Sequence, residues 1–492
     1  MQKSDKLHVN MIKSIKSNYI FNLLNSVSQL LFPLITFPYV SRIMMAEGIG
    51  QVQFFSSIIS YISLFTCLGI PMYAIREVAK VRSDVVKMST TTIEILLLHA
   101  MLTIVGYVAV AIICMTVSDV QTDIPLFLIL SATIFFTAIG CEWFYQGIED
   151  FKYVAIRGLV TKTISVVLLF LIVKTKEDIL WYGAYTVFGV LGGNIFNFLR
   201  LRKYVDRKIV DIHNLHPLRH LKPAIHIFVF NVITSIYLQL NTVLLGFLKD
   251  VVAVGYFTAA TKLMYMTMSV SNALGSVMMP RASNLIAENR IDEFNRVVQK
   301  SYDFIIAISI PLAIGLVFTS KSAVLLFSGN SFYPAILASQ IVAINIITIG
   351  ISGVMGIQIL YPMGKINIVI LCTFLGAITN VIANVLLIPH YGHYGTAVAF
   401  ATTEFVVTVS MFFIGRKYIS IQLLKRQHLN YLTSGILMGI VLFIIAKQEY
   451  SNIITLLSMF LAGALVYAIC LWALHDPFSK IIMNMITLKI RK

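Results

Sequence analysis

TISVVLLFLIVKTKEDILWYGAYTVFGVLGGNIFNFLRLRKYVDRK, residues 163–208, contains two long apolar runs, a short charged connection between them and a dense basic segment behind the second. A helix needs about 20 apolar residues to cross the hydrocarbon of a bilayer, and both runs approach that length. The connection carries Lys174 and Lys176 next to Glu177 and Asp178, whereas the segment that follows carries Arg200, Arg202, Lys203, Arg207 and Lys208. That contrast is the signature of cytoplasmic loops enriched in Lys and Arg.

Extending the reading outward gives fourteen apolar stretches, at 18–41, 50–74, 91–116, 124–145, 153–173, 179–199, 224–248, 252–279, 303–319, 334–361, 366–389, 395–415, 429–446 and 452–474. Of the 38 Lys and Arg residues, 29 fall in every second loop, six in the alternate loops and three inside the stretches. The expected fold is therefore an all-α polytopic membrane protein of about 14 transmembrane helices, with the N and C termini cytoplasmic. Only 12% of residues are charged and 58% are hydrophobic, against about a quarter charged in soluble domains.

The net charge of +16 points to topology and anionic inner-leaflet lipid rather than to nucleic acid. Residues 1–18 are polar and basic, and the first run is too long for a signal-peptide core, so no cleavable signal is expected. Cys67, Cys114, Cys141, Cys372 and Cys470 stand singly in apolar stretches, as core residues rather than disulfides or metal ligands. No phosphate-binding glycine loop and no metal-site spacing is present, so neither a cofactor nor a metal is expected.

A weak repeat runs at an offset of 205 residues. Gly50 in GIGQVQFF and Gly255 in VGYFTAAT open even-numbered stretches, each followed 26 residues later by an arginine, Arg76 and Arg281. The implied plan is two six-helix lobes of like orientation: an N-terminal lobe at 1–200, a linker at 201–223, a C-terminal lobe at 224–416, and two further helices with a tail at 417–492. Matched lobes around a central cavity suit alternating access. The linker reads either as a lobe hinge or as a solvated basic loop.

Polar side chains inside hydrocarbon are costly and usually face protein or water. Asn18, Asn22, Asn25 and Gln29 form a stripe along the first stretch, followed by Pro33 and Pro38; Asn231, Thr234 and Asn241 occupy the seventh. These form either a polar cavity wall that bends at the prolines or interhelical contacts. Asn380 and Asn384 share a face and read as helix contacts. Three cations lie inside stretches. A charge at mid-bilayer costs at least about 2.5 kcal/mol, so Lys162 and Lys262 need either an acidic partner, Glu94, Glu142 or Glu404, or a watery cavity that holds an anion. Arg157 is nearer the surface. Glu404, then Glu94 beside His99, and Glu142 are candidates for ion coupling, by H+ or Na+.

At EWFYQGIEDFKYVAIRGLVTKTIS, residues 142–165, the chain resembles the Wzx-type polysaccharide flippases of the multidrug/oligosaccharidyl-lipid/polysaccharide exporter superfamily. The resemblance extends through PYVSRIMMAEGIGQVQFF (38–55), LGIPMYAIREVAK (68–80), SIYLQLNTVLLGFLKDVVAVGYFTAATKL (235–263) and LLIPHYGHYGTAVAFATTE (386–404). It implies fourteen helices in two lobes, with the last two peripheral. It also implies transport of undecaprenyl-pyrophosphate-linked O-antigen or capsule repeat units to the outer leaflet of a bacterial inner membrane, alongside the polysaccharide assembly machinery. The matching positions are carried over with different roles: Arg42, at the outer end of the first stretch, as a gate or pyrophosphate-receiving residue, and Arg76 and Arg281, at cytoplasmic ends, either as recruitment residues or as the basic residues that topology alone places there. Similar proteins often have Asp where this chain has Asn241, so coupling would need another acid. The competing expectations are a multidrug antiporter of the same superfamily, which would favour an acidic or apolar cavity, and a membrane polymerase. The latter needs an outer catalytic loop, and the longest here, 320–333, holds only Lys321.

Overall fold

A computed structural model describes residues 15–448 and 451–476, with the side chains of residues 15–30, 212, 226–227, 229–238, 270, 272–277 and 280 outside the description. Single-turn segments and the π-helical stretch Val354–Leu360 aside, the helices in chain order are α1 (Ile15–Cys67), α2 (Ile70–Val81), α3 (Val85–Thr116), α4 (Ile124–Ile139), α5 (Glu142–Gly147), α6 (Phe151–Ile172), α7 (Ile179–Leu191), α8 (Asn194–Leu201) and α9 (Leu221–Leu248). They continue with α10 (Val251–Ala287), α11 (Ile291–Ser328), α12 (Ala335–Val342), α13 (Asn345–Gly353), α14 (Ile366–Tyr391), α15 (His393–Gly415), α16 (Arg426–Ala446) and α17 (Asn452–Ala473). No strand occurs among the described residues. Helix is the expected solution, because in lipid every backbone polar group must be satisfied within the segment.

Among the described residues, ten helical segments are long and apolar enough to cross a membrane, or eleven when the bent pair Lys176–Leu191 and Asn194–Leu201 is taken as one span. Their outward faces are apolar: Met115 is 77% exposed, Val190 74% and Phe460 72%. Large side chains exposed at that level have acyl chains as their natural solvent. The chain is a multi-pass membrane protein. At helix starts short acids satisfy backbone donors: Asp84 accepts from the Lys87 N–H at 3.0 Å and Asp250 from the Ala253 N–H at 2.7 Å. The Lys87 N–H also holds the Asp84 carboxyl below its ordinary range.

α1 is 53 residues long and breaks at Met45, whose φ of 54° and ψ of −169° are not helical. Pro33 and Pro38 lie inside the helix, so the non-helical point falls beyond them. A non-glycine residue in this region is strained by about 1–3 kcal/mol.

The helices group into two compact units. One comprises residues 1–44 and 51–239, the other 45–50 and 240–492. In the first, Ile70, Ala74 and Val78 of α2 pack with Ile95 of α3 and with Phe144 and Tyr145 of α5. In the second, Phe294, Val298 and Tyr302 of α11 pack with Met411 of α15, Met438 of α16 and Tyr467 of α17. The second unit also joins the two repeat glycines. A Cβ placed on Gly50 would lie 1.6 Å from the Val251 carbonyl oxygen, and one on Gly255 would lie 2.0 Å from that of Ala46.

Candidate functional site

In the first unit the cations gather where α5, α6 and α8 meet. α5 is bounded by left-handed residues, Cys141 (φ 45°) and Glu149 (φ 61°), which turn the chain sharply on either side of EWFYQG. That geometry presents Glu142 to α6. Arg157 Nη2 donates to Glu142 Oε2 at 2.7 Å, and Nη1 donates to Asn194 Oδ1 at 3.3 Å. Gly193 is needed beside it, because a Cβ there would lie 2.9 Å from Thr161 Oγ1 and 3.2 Å from Arg157 Nε. Lys162, half-buried one turn further along α6, is close enough for its charge to interact with Glu142 and Arg157. Two cations thus lie within electrostatic range of one carboxylate.

A third cation stands beside this group. Arg200 Nη2 donates to Asp150 Oδ2 and to the Tyr204 hydroxyl, both at 3.0 Å. Its guanidinium lies 3.8 Å from the centre of the Tyr153 ring and 5.6 Å from those of Tyr145 and Tyr204. Position alone marks Arg200 as a loop residue. The three tyrosines that enclose it are spread along the chain and carry no periodic signal.

Glu94 lies on α3 with 1% of its side chain exposed. Its Oε1 accepts the His216 backbone N–H at 2.8 Å, while Oε2 meets His220 Nε2 at 3.0 Å and the Arg219 guanidinium. The Tyr73 hydroxyl is 2.7 Å from His220 Nδ1. The linker therefore claims this carboxylate. His99 is buried too, and neither of its ring nitrogens has a hydrogen-bond partner among the described residues.

In the second unit α10 presents Thr258, Lys262 and Tyr265 on one side, with Lys262 half-buried. Glu404 of α15, 2% exposed, is near enough for its charge to act on the Tyr265 hydroxyl. A separate buried network is built on amides. Asn241 Oδ1 accepts from Asn380 Nδ2 at 2.9 Å and from Asn384 Nδ2 at 2.8 Å, and Asn380 Nδ2 also reaches Thr403 Oγ1 at 2.9 Å. Asn241 is 2% exposed, so it binds helices together within the unit rather than facing open space.

Arg42, Arg76 and Arg281 are all exposed, and Arg42 Nη1 turns back to the Pro38 carbonyl at 2.5 Å. Asn22, Asn25, Gln29 and Asn231, with Asn18 and Thr234, lie outside the described side chains.

Comparison with known proteins gives one consistent set of relatives. The family model described as polysaccharide biosynthesis protein matches residues 15–286. A Shigella dysenteriae protein provisionally named an O-antigen transporter is 26% identical over 403 residues, covering 81% of this chain and 99% of that protein. Among solved structures, the lipid II flippase MurJ in an inward closed conformation superposes with a TM-score of 0.62 at 15% identity, over 89% of this chain and 97% of its own. An inward-facing multidrug resistance MATE family transporter of the MOP superfamily also reaches 0.62, at 13% identity over 82% and 94%.

Proposed function

The chain belongs to the polysaccharide biosynthesis protein family, and on that ground we propose that it is a flippase. It moves undecaprenyl-pyrophosphate-linked oligosaccharide repeat units from the cytoplasmic to the outer leaflet of a bacterial inner membrane by alternating access. The relative named for O-antigen transport, which this chain covers almost end to end, supports that substrate class. The observation that carries the reading is the set of cations inside apolar helices, Lys162 with Arg157 on α6 and Lys262 on α10. A pyrophosphate entering hydrocarbon needs such groups, because charge-assisted hydrogen bonds offset the loss of its hydration.

The proposal includes fourteen crossings with both termini cytoplasmic, six-helix lobes at 1–200 and 224–416 joined by 201–223, and residues 417–492 peripheral. Arg42, Arg76 and Arg281 act as gate or recruitment residues. Asn22, Asn25, Gln29 and Asn231 line the sugar path, whereas Asn241 is committed to Asn380 and Asn384. Coupling to H+ or Na+ is assigned to Glu404, a buried carboxylate on α15, with Glu94 and Glu142 as the other candidates. The assembly machinery that polymerises the units would receive the product. Drug export by the same fold is the second reading, favoured by the equal TM-score of the MATE transporter. Cationic drugs, however, would be repelled by these lysines.

The test is the sidedness of lipid-linked oligosaccharide in cells with the intact gene, a deletion, and the double variant Lys162→Ala, Lys262→Ala. Accumulation in the cytoplasmic leaflet in both defective strains, with the variant normally inserted, is expected. Unchanged sidedness in the deletion would overturn the flippase reading.

A further inference from the structure

The contact that captures the linker has a counterpart in the second unit. Asp303, on α11, meets His428 Nε2 through Oδ1 at 2.9 Å and Lys425 Nζ through Oδ2 at 3.1 Å. Each carboxylate thus binds one histidine and one basic side chain from the segment that leaves its group of helices: Arg219 with His220 in the first case, Lys425 with His428 in the second. Each histidine also lies against a tyrosine, His220 at 5.5 Å from Tyr73 and His428 at 5.4 Å from Tyr302 between ring centres.

The backbone of each segment is held as well. On α3, Ser89 Oγ accepts the Asp206 N–H at 3.2 Å; on α11, Gln299 Oε1 accepts the Gln422 N–H at 2.7 Å. Both acceptors stand about one turn ahead of the carboxylate.

Spacing ties the two together. The partners are 126 residues apart in the first pair and 125 in the second. Asp303 follows Glu94 by 209 positions and His428 follows His220 by 208, close to the 205 that separates Gly50 from Gly255. The local sequences agree, Glu-Ile-Leu-Leu at 94–97 with Asp-Phe-Ile-Ile at 303–306, and His-Leu at both 220–221 and 428–429. Surface ion pairs are weak and do not hold a chain in place, but these are not surface pairs. Side-chain exposure is 1% for Glu94, 5% for His220, 18% for Asp303 and 7% for His428.

We propose that Glu94–His220 and Asp303–His428 are two copies of one latch, repeated in the two halves of the chain. Each clamps the segment leaving its group of helices onto the third helix of that group. The first fixes the start of α9, which begins at Leu221 directly after His220; the second fixes the first turn of α16, where His428 sits. Each acts only within its own unit. The role does not depend on what the protein carries.

Amide hydrogen exchange on the full-length protein in lipid nanodiscs tests this, using the unaltered chain, Glu94→Gln and Asp303→Asn. In the unaltered chain, residues 206–220 and 418–428 are expected to be protected. Glu94→Gln should speed exchange in 206–220 by about tenfold or more, since a buried charge-assisted contact is lost, and leave 418–428 unchanged; Asp303→Asn should do the reverse. Tyr73→Phe removes only the hydroxyl beside His220 Nδ1 and should give a smaller acceleration confined to 206–220, a readout that survives if the acid variants do not insert. Rapid exchange of either segment in the unaltered chain would overturn the proposal, as would both segments loosening together in every variant.

Discussion

Gly50 and Gly255 pack reciprocally. The space a Cβ would need on Gly50 is filled by the Val251 carbonyl, and the space on Gly255 by the carbonyl of Ala46. Since Val251 and Gly255 each stand 205 positions after Ala46 and Gly50, the contact maps onto itself when the two repeats are exchanged. Self-complementary packing of this kind allows the backbones to approach more closely than any side chain would permit.

Gly50→Ala and Gly255→Ala are therefore expected to destabilise the protein to a similar extent, by about 1–3 kcal/mol as for other overpacked sites. Gly315→Ala is the control, because a Cβ there meets nothing within 4 Å. In that helix interior Ala should be favoured over Gly by about 1 kcal/mol. Thermal unfolding in detergent checks all three, and equal melting temperatures for the three variants would contradict the close contact.

Arg200→Lys keeps the charge but loses the flat guanidinium that lies over Tyr153 while donating to Asp150 and Tyr204. A loss of about 1–2 kcal/mol is expected, from stacking and hydrogen-bond geometry that an ammonium cannot reproduce. Arg202→Lys, at an exposed position next to it, should leave the melting temperature where it is.

Asn241→Leu leaves the amides of Asn380 and Asn384 without their shared acceptor. A buried donor left unsatisfied costs about 1–3 kcal/mol, so a marked drop in melting temperature is expected. Asn241→Ser, which retains a shorter acceptor, should lose less. If Leu and Ser behaved alike, the network would not be contributing.

Glu404→Gln keeps the shape of a buried side chain on α15 and removes its charge. If Glu404 couples transport to protons, flipping by reconstituted vesicles should lose its dependence on pH in this variant, while Glu142→Gln should retain it. Persistence of the pH dependence in Glu404→Gln would remove Glu404 from the coupling role.

The helices were legible in the sequence because hydropathy and charge are properties of each segment by itself. A run of apolar residues satisfies its backbone internally wherever it lies in the bilayer, and basic loops mark its ends. The repeat at Gly50 and Gly255 could be read for the same reason, as a spacing. The partner of Glu142 was not legible: the sequence offers it to Lys162 or Lys262, whereas the structure pairs it with Arg157, 15 residues away in the same motif.

What the sequence left open, packing decided. Glu94 beside His99 looks like a local pair, yet its partners come from the linker, 122 to 126 residues away. Asn241 reads as one element of a polar stripe; the fold gives its oxygen to amides 139 and 143 residues further on. A helical period shows which residues share a face but not what that face meets, because the partner depends on how distant helices are brought together. The membrane class and the helices thus follow from local composition, whereas the latches, the amide network and the glycine contact exist only once the chain is packed.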